Sequence, residues 1–141
     1  MANSLTPTLA VRDAAAAIDF YVRALGATEL SRFTGPEGQI VHADLRAGAA
    51  LFAVKEADGT DTAPGRQVPV VLGLDVDDAD AAWAALREAG AGEIFPLGDH
   101  EYGYRQGRVA DPYGHQWIVS QRIEDLSTAE AQRRMDAGYG G

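Results

Sequence analysis

Three histidines, two aspartates in ordered contexts and a loop carrying two tyrosines and an arginine are the residues here whose types and spacing suit chemistry. Histidine titrates near neutral pH and serves as acid, base or metal ligand. His42 alternates with Val41, Ala43 and Leu45; if those three face a core, His42 faces the opposite side with Ile40 and Asp44. It reads either as a ligand contact or as an ordinary surface histidine. His100 stands beside Asp99 and Glu101 between Gly98 and Gly103, as a solvated loop residue or a contact at a pocket rim. His115 directly follows a turn, which suits a structural role such as capping turn carbonyls. No two histidines have a chelating spacing. Asp111 is explained by its turn, and Asp44 has no visible partner. Without cysteine there is no thiol nucleophile, disulfide or thiolate metal site. No glycine-rich phosphate loop and no serine in a nucleophile elbow is present. The segment from Gly98 to Gly107 places Tyr102, Tyr104 and Arg105 between glycines. It reads as a mobile, ligand-facing loop or as a plain surface loop.

The elements that must position these residues come in duplicate. A strand ending at Val11 leads to a helix with Asp13 as N-cap, Ile18, Tyr21 and Leu25 on one apolar stripe, and Gly26 as the stop. Asp78 opens a second helix 65 residues later, with Trp83 and Leu86 on its stripe and Gly90 at its end. Each helix is followed by three strands: about 29–33, 40–45 and 50–54 in the first half, and 93–97, 106–110 and 115–121 in the second. Gly35-Pro-Glu-Gly38 and Asp111-Pro-Tyr-Gly114 supply turns, the latter with type I residues. The expected architecture is α+β: a βαβββ module over about 4–56, a polar linker over 57–67, a second module over 68–122 and a C-terminal helix over 127–137. The whole chain reads as one domain. Ser127 and Glu130 have capping-box spacing, Arg133 and Arg134 are expected near the helix end, and Gly138 onward as a frayed tail.

Composition narrows the partners. At 141 residues with 46% apolar content, the chain can bury a real core. Its net charge of −9 opposes a polyanionic nucleic-acid partner. No apolar run approaches the roughly 18–20 residues of a membrane span, and no export signal is visible, so a cytoplasmic protein is expected.

Val11-x-Asp, Ala17-Ile-Asp-Phe-Tyr21, Leu25-Gly-Ala27 and Asp111-Pro-Tyr-Gly-His-Gln-Trp117 resemble the glyoxalase/bleomycin-resistance, or vicinal oxygen chelate, superfamily, and within it the PhnB-like branch. Tyr102-Gly-Tyr-Arg105 and the run from Glu124 to Glu130 occupy the places of further elements of that branch. The resemblance implies two modules lining a cleft, within a homodimer. It also implies a metal held by one residue from the first and last strand of each module. Carried over, those positions are Thr6, Phe52, Val71 and Ile118, none of them a ligand for a hard divalent cation. No metal or other cofactor is therefore expected. The cleft floor is expected to be apolar, with Phe52 and Ile118 on it, Tyr102 and Tyr104 stacking on a ligand, and His42 or Arg105 orienting it. Trp117 is expected in the core. Binding of a small aromatic or amphipathic molecule follows, as in drug sequestration; the alternative is a glyoxalase-like lyase, isomerase or thiol transferase, either by metal-free acid–base chemistry or with an unrecognised metal site.

Overall fold

Two capped helices organise the chain, and each begins on an aspartate. The computed structural model describes residues 3–139. Asp13 accepts a hydrogen bond from the Ala16 N–H at 3.1 Å and starts α1 (Ala14–Leu25). Gly26 ends it in the left-handed region at φ 65°, where glycine carries no Cβ penalty. Asp78 does the same for α2 (Ala79–Glu88), accepting from Ala81 at 3.0 Å. Ala89 caps that helix, and Gly90 follows at φ 114°.

Around α1 run β1 (Thr8–Val11), β2 (Thr28–Thr34), β3 (Ile40–Ala47) and β4 (Ala50–Glu56), which form a sheet in the order β1-β4-β3-β2. Around α2 run β5 (Leu72–Asp75), β6 (Gly92–Asp99), β7 (Tyr104–Ala110) and β8 (Gln116–Arg122), in the order β5-β8-β7-β6. The α+β fold of two βαβββ modules is thus present. In each sheet the first and last strands are parallel and the remaining pairs antiparallel. The outer strands β2 and β6 are both interrupted by register shifts, and β6 contains Pro96. β1 and β5 pair continuously with β4 and β8 on one side and, among the described residues, with no strand on the other.

Alternation decides which face is buried. Leu9, Val11, Leu45, Phe52 and Val54 of the first sheet point into one core with Val109, Trp117 and Val119 of the second. Helix α1 contributes Ile18, Phe20 and Tyr21, and α2 contributes Leu86. The rings of Phe52 and Trp117 lie 5.7 Å apart, and Tyr21 stands edge-on to Phe52 at 5.4 Å. The helix-facing sides of both sheets therefore share this core, and their opposite faces are turned outward. Gly107 lets α2 settle on β7: a Cβ there would stand 2.6 Å from the Trp83 ring and 2.8 Å from the Leu97 backbone.

A buried carboxylate fastens the modules together. Asp111 is 4% exposed. Its Oδ2 accepts from the Tyr21 hydroxyl at 2.6 Å and the Trp117 indole at 2.9 Å. Its Oδ1 accepts from the Tyr113 and His115 N–H groups at 2.9 and 3.0 Å, inside the turn closed by Gly114 N–H on the Asp111 carbonyl. Burial, reinforced by the Asp111 charge, pushes the Tyr21 hydroxyl far above the ordinary tyrosine range, so it remains a donor. His115 reaches across modules: its Nε2, 2.9 Å from the Ala10 carbonyl oxygen, donates to β1 rather than to the turn.

The C-terminal helix α3 spans Thr128–Tyr139, longer than the sequence suggested. Ser127 Oγ accepts from Glu130 N–H at 3.1 Å, half of a capping box. The Glu130 carboxylate pairs instead with Arg133 and Arg134, which consequently lie within the helix rather than near its end. Gly138, expected in a frayed tail, is helical; residues 140–141 lie outside the described residues. No helix among the described residues is long and apolar enough to cross a membrane.

Candidate ligand-binding site

Strand register assigns each candidate residue to a face. In the second sheet, Phe95 pairs with Arg108, Arg108 with Ile118 and Ile118 with Gly73, and this row lies on the outward face. The next row joins Gln106 to Ser120 and Asp75, and Tyr104 pairs with Arg122 beyond it. Phe95, His100, Tyr102, Gln106, Arg108 and Ile118 line a concavity of about 420 Å³, within the usual size range of small-molecule sites.

Its aromatic wall is held in place. His100 and Tyr102 stack with centroids 5.2 Å apart and planes 15° from parallel. The Tyr102 hydroxyl donates to Gln106 Oε1, whose Nε2 donates to Ser120 Oγ at 2.9 Å. Tyr104 stands 6.2 Å from Tyr102 and also borders a groove beneath α3 with Leu126 and Met135. The expected mobile segment from Gly98 to Gly107 is mostly strand. Only residues 100–103 turn, closed by the Gly103 N–H on the His100 carbonyl and the His100 N–H on the Tyr104 carbonyl. Tyr102 is thereby presented from a tight turn.

Two expectations are corrected here. Arg105 lies on the helix-facing side of β7, opposite Gln121, and its guanidinium pairs with Asp80 of α2 at 2.8 Å and Asp99 at 2.9 Å. It fastens α2 to the sheet. Phe52 is 4% exposed and packs in the core, reaching only the floor of a separate groove between the modules with Leu5 and Leu72. Thr8 pairs with Ala53 and Gly73 with Ile118. With Thr8 and Gly73 in equivalent places, the counterpart of Ile118 is Ala53, while Phe52 matches Trp117.

The first sheet presents His42 outward. Its Nε2 lies 2.9 Å from Asp44 Oδ1, and Ser31 Oγ donates to Asp44 Oδ2 at 2.7 Å. These bonds, Ser31 first and His42 second, hold the Asp44 carboxyl below its ordinary range. Ile40, expected beside His42, is buried instead and Val41 exposed, because the register shifts between Phe33 and Thr34.

The family's metal positions do not suit a metal. Thr6 and Val71 each lie just before their strands, Thr6 exposed, and Ala53 and Ile118 carry hydrocarbon only. Among the described residues no three His, Asp or Glu side chains are clustered to hold an ion.

The class defined by these features is a paired-βαβββ protein with an aromatic outward face and no ligand set at the usual metal positions. Residues 4–119 match the family model of the Glyoxalase/Bleomycin resistance protein/Dioxygenase superfamily, and the chain belongs to that superfamily. Rv0887c of Mycobacterium tuberculosis is 37% identical over 142 residues, covering 95% of this chain and 83% of that protein. Among solved structures, TioX from Micromonospora is similar, at 29% identity and TM-score 0.68, covering 89% of this chain and all of that one. A PhnB protein from Bacillus cereus, at 18% identity and TM-score 0.67 over 84% of this chain and 99% of that one, shares the fold.

Sequence alternation would have found the two residues missed, Gln106 and Arg108. Once Tyr104 begins the strand, Gln106 and Arg108 share its face and Arg105 does not.

Proposed function

We propose that this chain binds a small aromatic or amphipathic molecule without a metal ion, on the outward face of its second sheet, and sequesters it as a drug-binding protein would. The observation that carries this reading is the aromatic concavity around Tyr102, set in a fold whose usual metal positions carry no His, Asp or Glu. Drug resistance is its natural use. A homodimer belongs to the same reading: each outward face is open, with Phe33, Leu51 and Phe95 about half exposed, and a second copy would wall the concavity. The acidic surface keeps nucleic acids out of the partner list, and the place of work is the cytoplasm.

The test is a thermal-shift screen of planar aromatic compounds and antibiotics, followed by calorimetry on the hits. Tyr102→Ala should weaken a hit by about tenfold, the scale of one lost aromatic contact with its buried area. Sedimentation should show a dimer. An empty screen, or unchanged affinity in Tyr102→Ala, would overturn the reading.

One observation favours a second reading, a metal-free glyoxalase-like lyase, isomerase or thiol transferase. Asp44 fixes the His42 ring through Nε2 and leaves Nδ1 available as a base. Such a base exchanges protons next to a carbonyl. Incubation with α-keto and α-hydroxy carbonyl compounds in D2O should then give deuterium uptake that His42→Gln abolishes. No uptake, or uptake untouched by the substitution, removes the enzyme reading.

A further inference from the structure

The concavity on the second sheet contains a cation that pairs with no carboxylate among the described residues. Three arginines are half-buried among the described residues: Arg105, Arg108 and Arg134. Arg105 is paired with Asp80 and Asp99, and Arg134 with Glu124 and Glu130. Arg108 has no ion pair, and its one side-chain hydrogen bond is long, 3.4 Å from Nη1 to Gln116 Oε1. Arginine does not shed its proton in a protein, so this charge persists.

The surroundings leave the charge for a ligand. No Asp or Glu lines the concavity, although the chain carries 21 acidic residues against 12 basic ones. The Phe95 ring lies under the Arg108 guanidinium, 5.5 Å from centroid to carbon. That places an aromatic ring against the group, while no carboxylate in the concavity meets its N–H donors, which can hold a carboxylate bidentately. Gln106 is occupied between Tyr102 and Ser120 and does not compete. The stacked pair His100 and Tyr102 offers a flat surface in the same concavity.

We infer that the molecule bound here is a planar aromatic anion, a carboxylate in its simplest form, and that Arg108 reads its charge. This deepens the binding reading above and rests on it. The field of a chain at net −9 favours cations, so a preference for anions must arise locally.

Three probes of one shape separate the possibilities: 2-naphthoate, 2-naphthamide and 2-naphthylmethylammonium, titrated by calorimetry with the contact surface mapped by amide NMR. Naphthoate should bind at least about tenfold more tightly than naphthamide, and the ammonium compound most weakly. Arg108→Gln should bring naphthoate to within about twofold of naphthamide, and Arg108→Lys should restore part of the preference. Equal binding of naphthoate and naphthamide at the Tyr102 surface, or a preference for the ammonium compound, overturns the charge assignment and leaves the aromatic site standing. Failure of all three to bind overturns both.

Discussion

Replacing Asp111 by alanine should lower the free energy of unfolding by about 3–5 kcal/mol, the cost of removing one member of a buried, charge-assisted hydrogen-bond set. The carboxylate is 4% exposed and accepts four hydrogen bonds. Two of its donors, the Tyr21 hydroxyl and the Trp117 indole, are themselves in the core and would have no water to turn to. The other two are N–H groups of the turn between β7 and β8, which would lose its internal anchor. Because Tyr21 belongs to α1 and the turn to the second module, the loss falls on the seam between halves. Asp111→Asn should recover only part of the loss, since an amide nitrogen cannot accept from Tyr21 and Trp117. Urea unfolding followed by tryptophan fluorescence measures all of this. An alanine variant within about 1 kcal/mol of the parent chain would show that this cluster does not hold the seam.

Phe52→Ala should cost a similar amount, about 3–5 kcal/mol, by leaving a cavity where an aromatic ring had packed. The ring lies within aromatic contact distance of both Tyr21 and Trp117, so few neighbours can move in to fill the space. The variant also separates two roles. A residue on a binding floor would change affinity, whereas this one should change the unfolding midpoint and leave the affinity of the folded protein for an aromatic probe within about twofold. Ile118→Ala should do the reverse, with a modest stability loss and a clear loss of affinity. Denaturation and calorimetry on the same two variants decide the matter, and a Phe52→Ala protein of parental stability with lost affinity would return Phe52 to the site.

What could be read from the sequence was what is encoded locally. Asp13, Gly26, Asp78 and Gly90 mark helix ends through their own backbone preferences, so both helices and the repeat were visible. Which way a strand residue faces is not local in that sense. A slip of one residue exchanges the two faces, and such a slip put Phe52 where Ala53 belongs. Register also moved Ile40 into the core, through an unpaired residue, Val41, in its own strand β3. Arg105 was misplaced for a related reason. Its partner Asp80 is 25 residues away on α2, and no spacing rule announces an ion pair formed across a helix and a sheet. The two tyrosines did fall on the outward side of the sheet, together with His42 on the other module. The ordering of the turn that carries Tyr102 became visible only with its hydrogen bonds.

A chain with open strand edges is exposed to runaway polymerisation, since any unpaired edge can template another strand. The irregular edges at β2 and β6 deal with this hazard. Their shifted registers spoil the straight row of donors and acceptors that an incoming strand requires, and Pro96 removes a donor outright. Among the described residues, regular edges remain at β1 and β5, each four residues long, and at β1 the Ala10 carbonyl already accepts from His115. An incoming strand therefore meets an irregular row of groups at two edges and an already occupied carbonyl at a third.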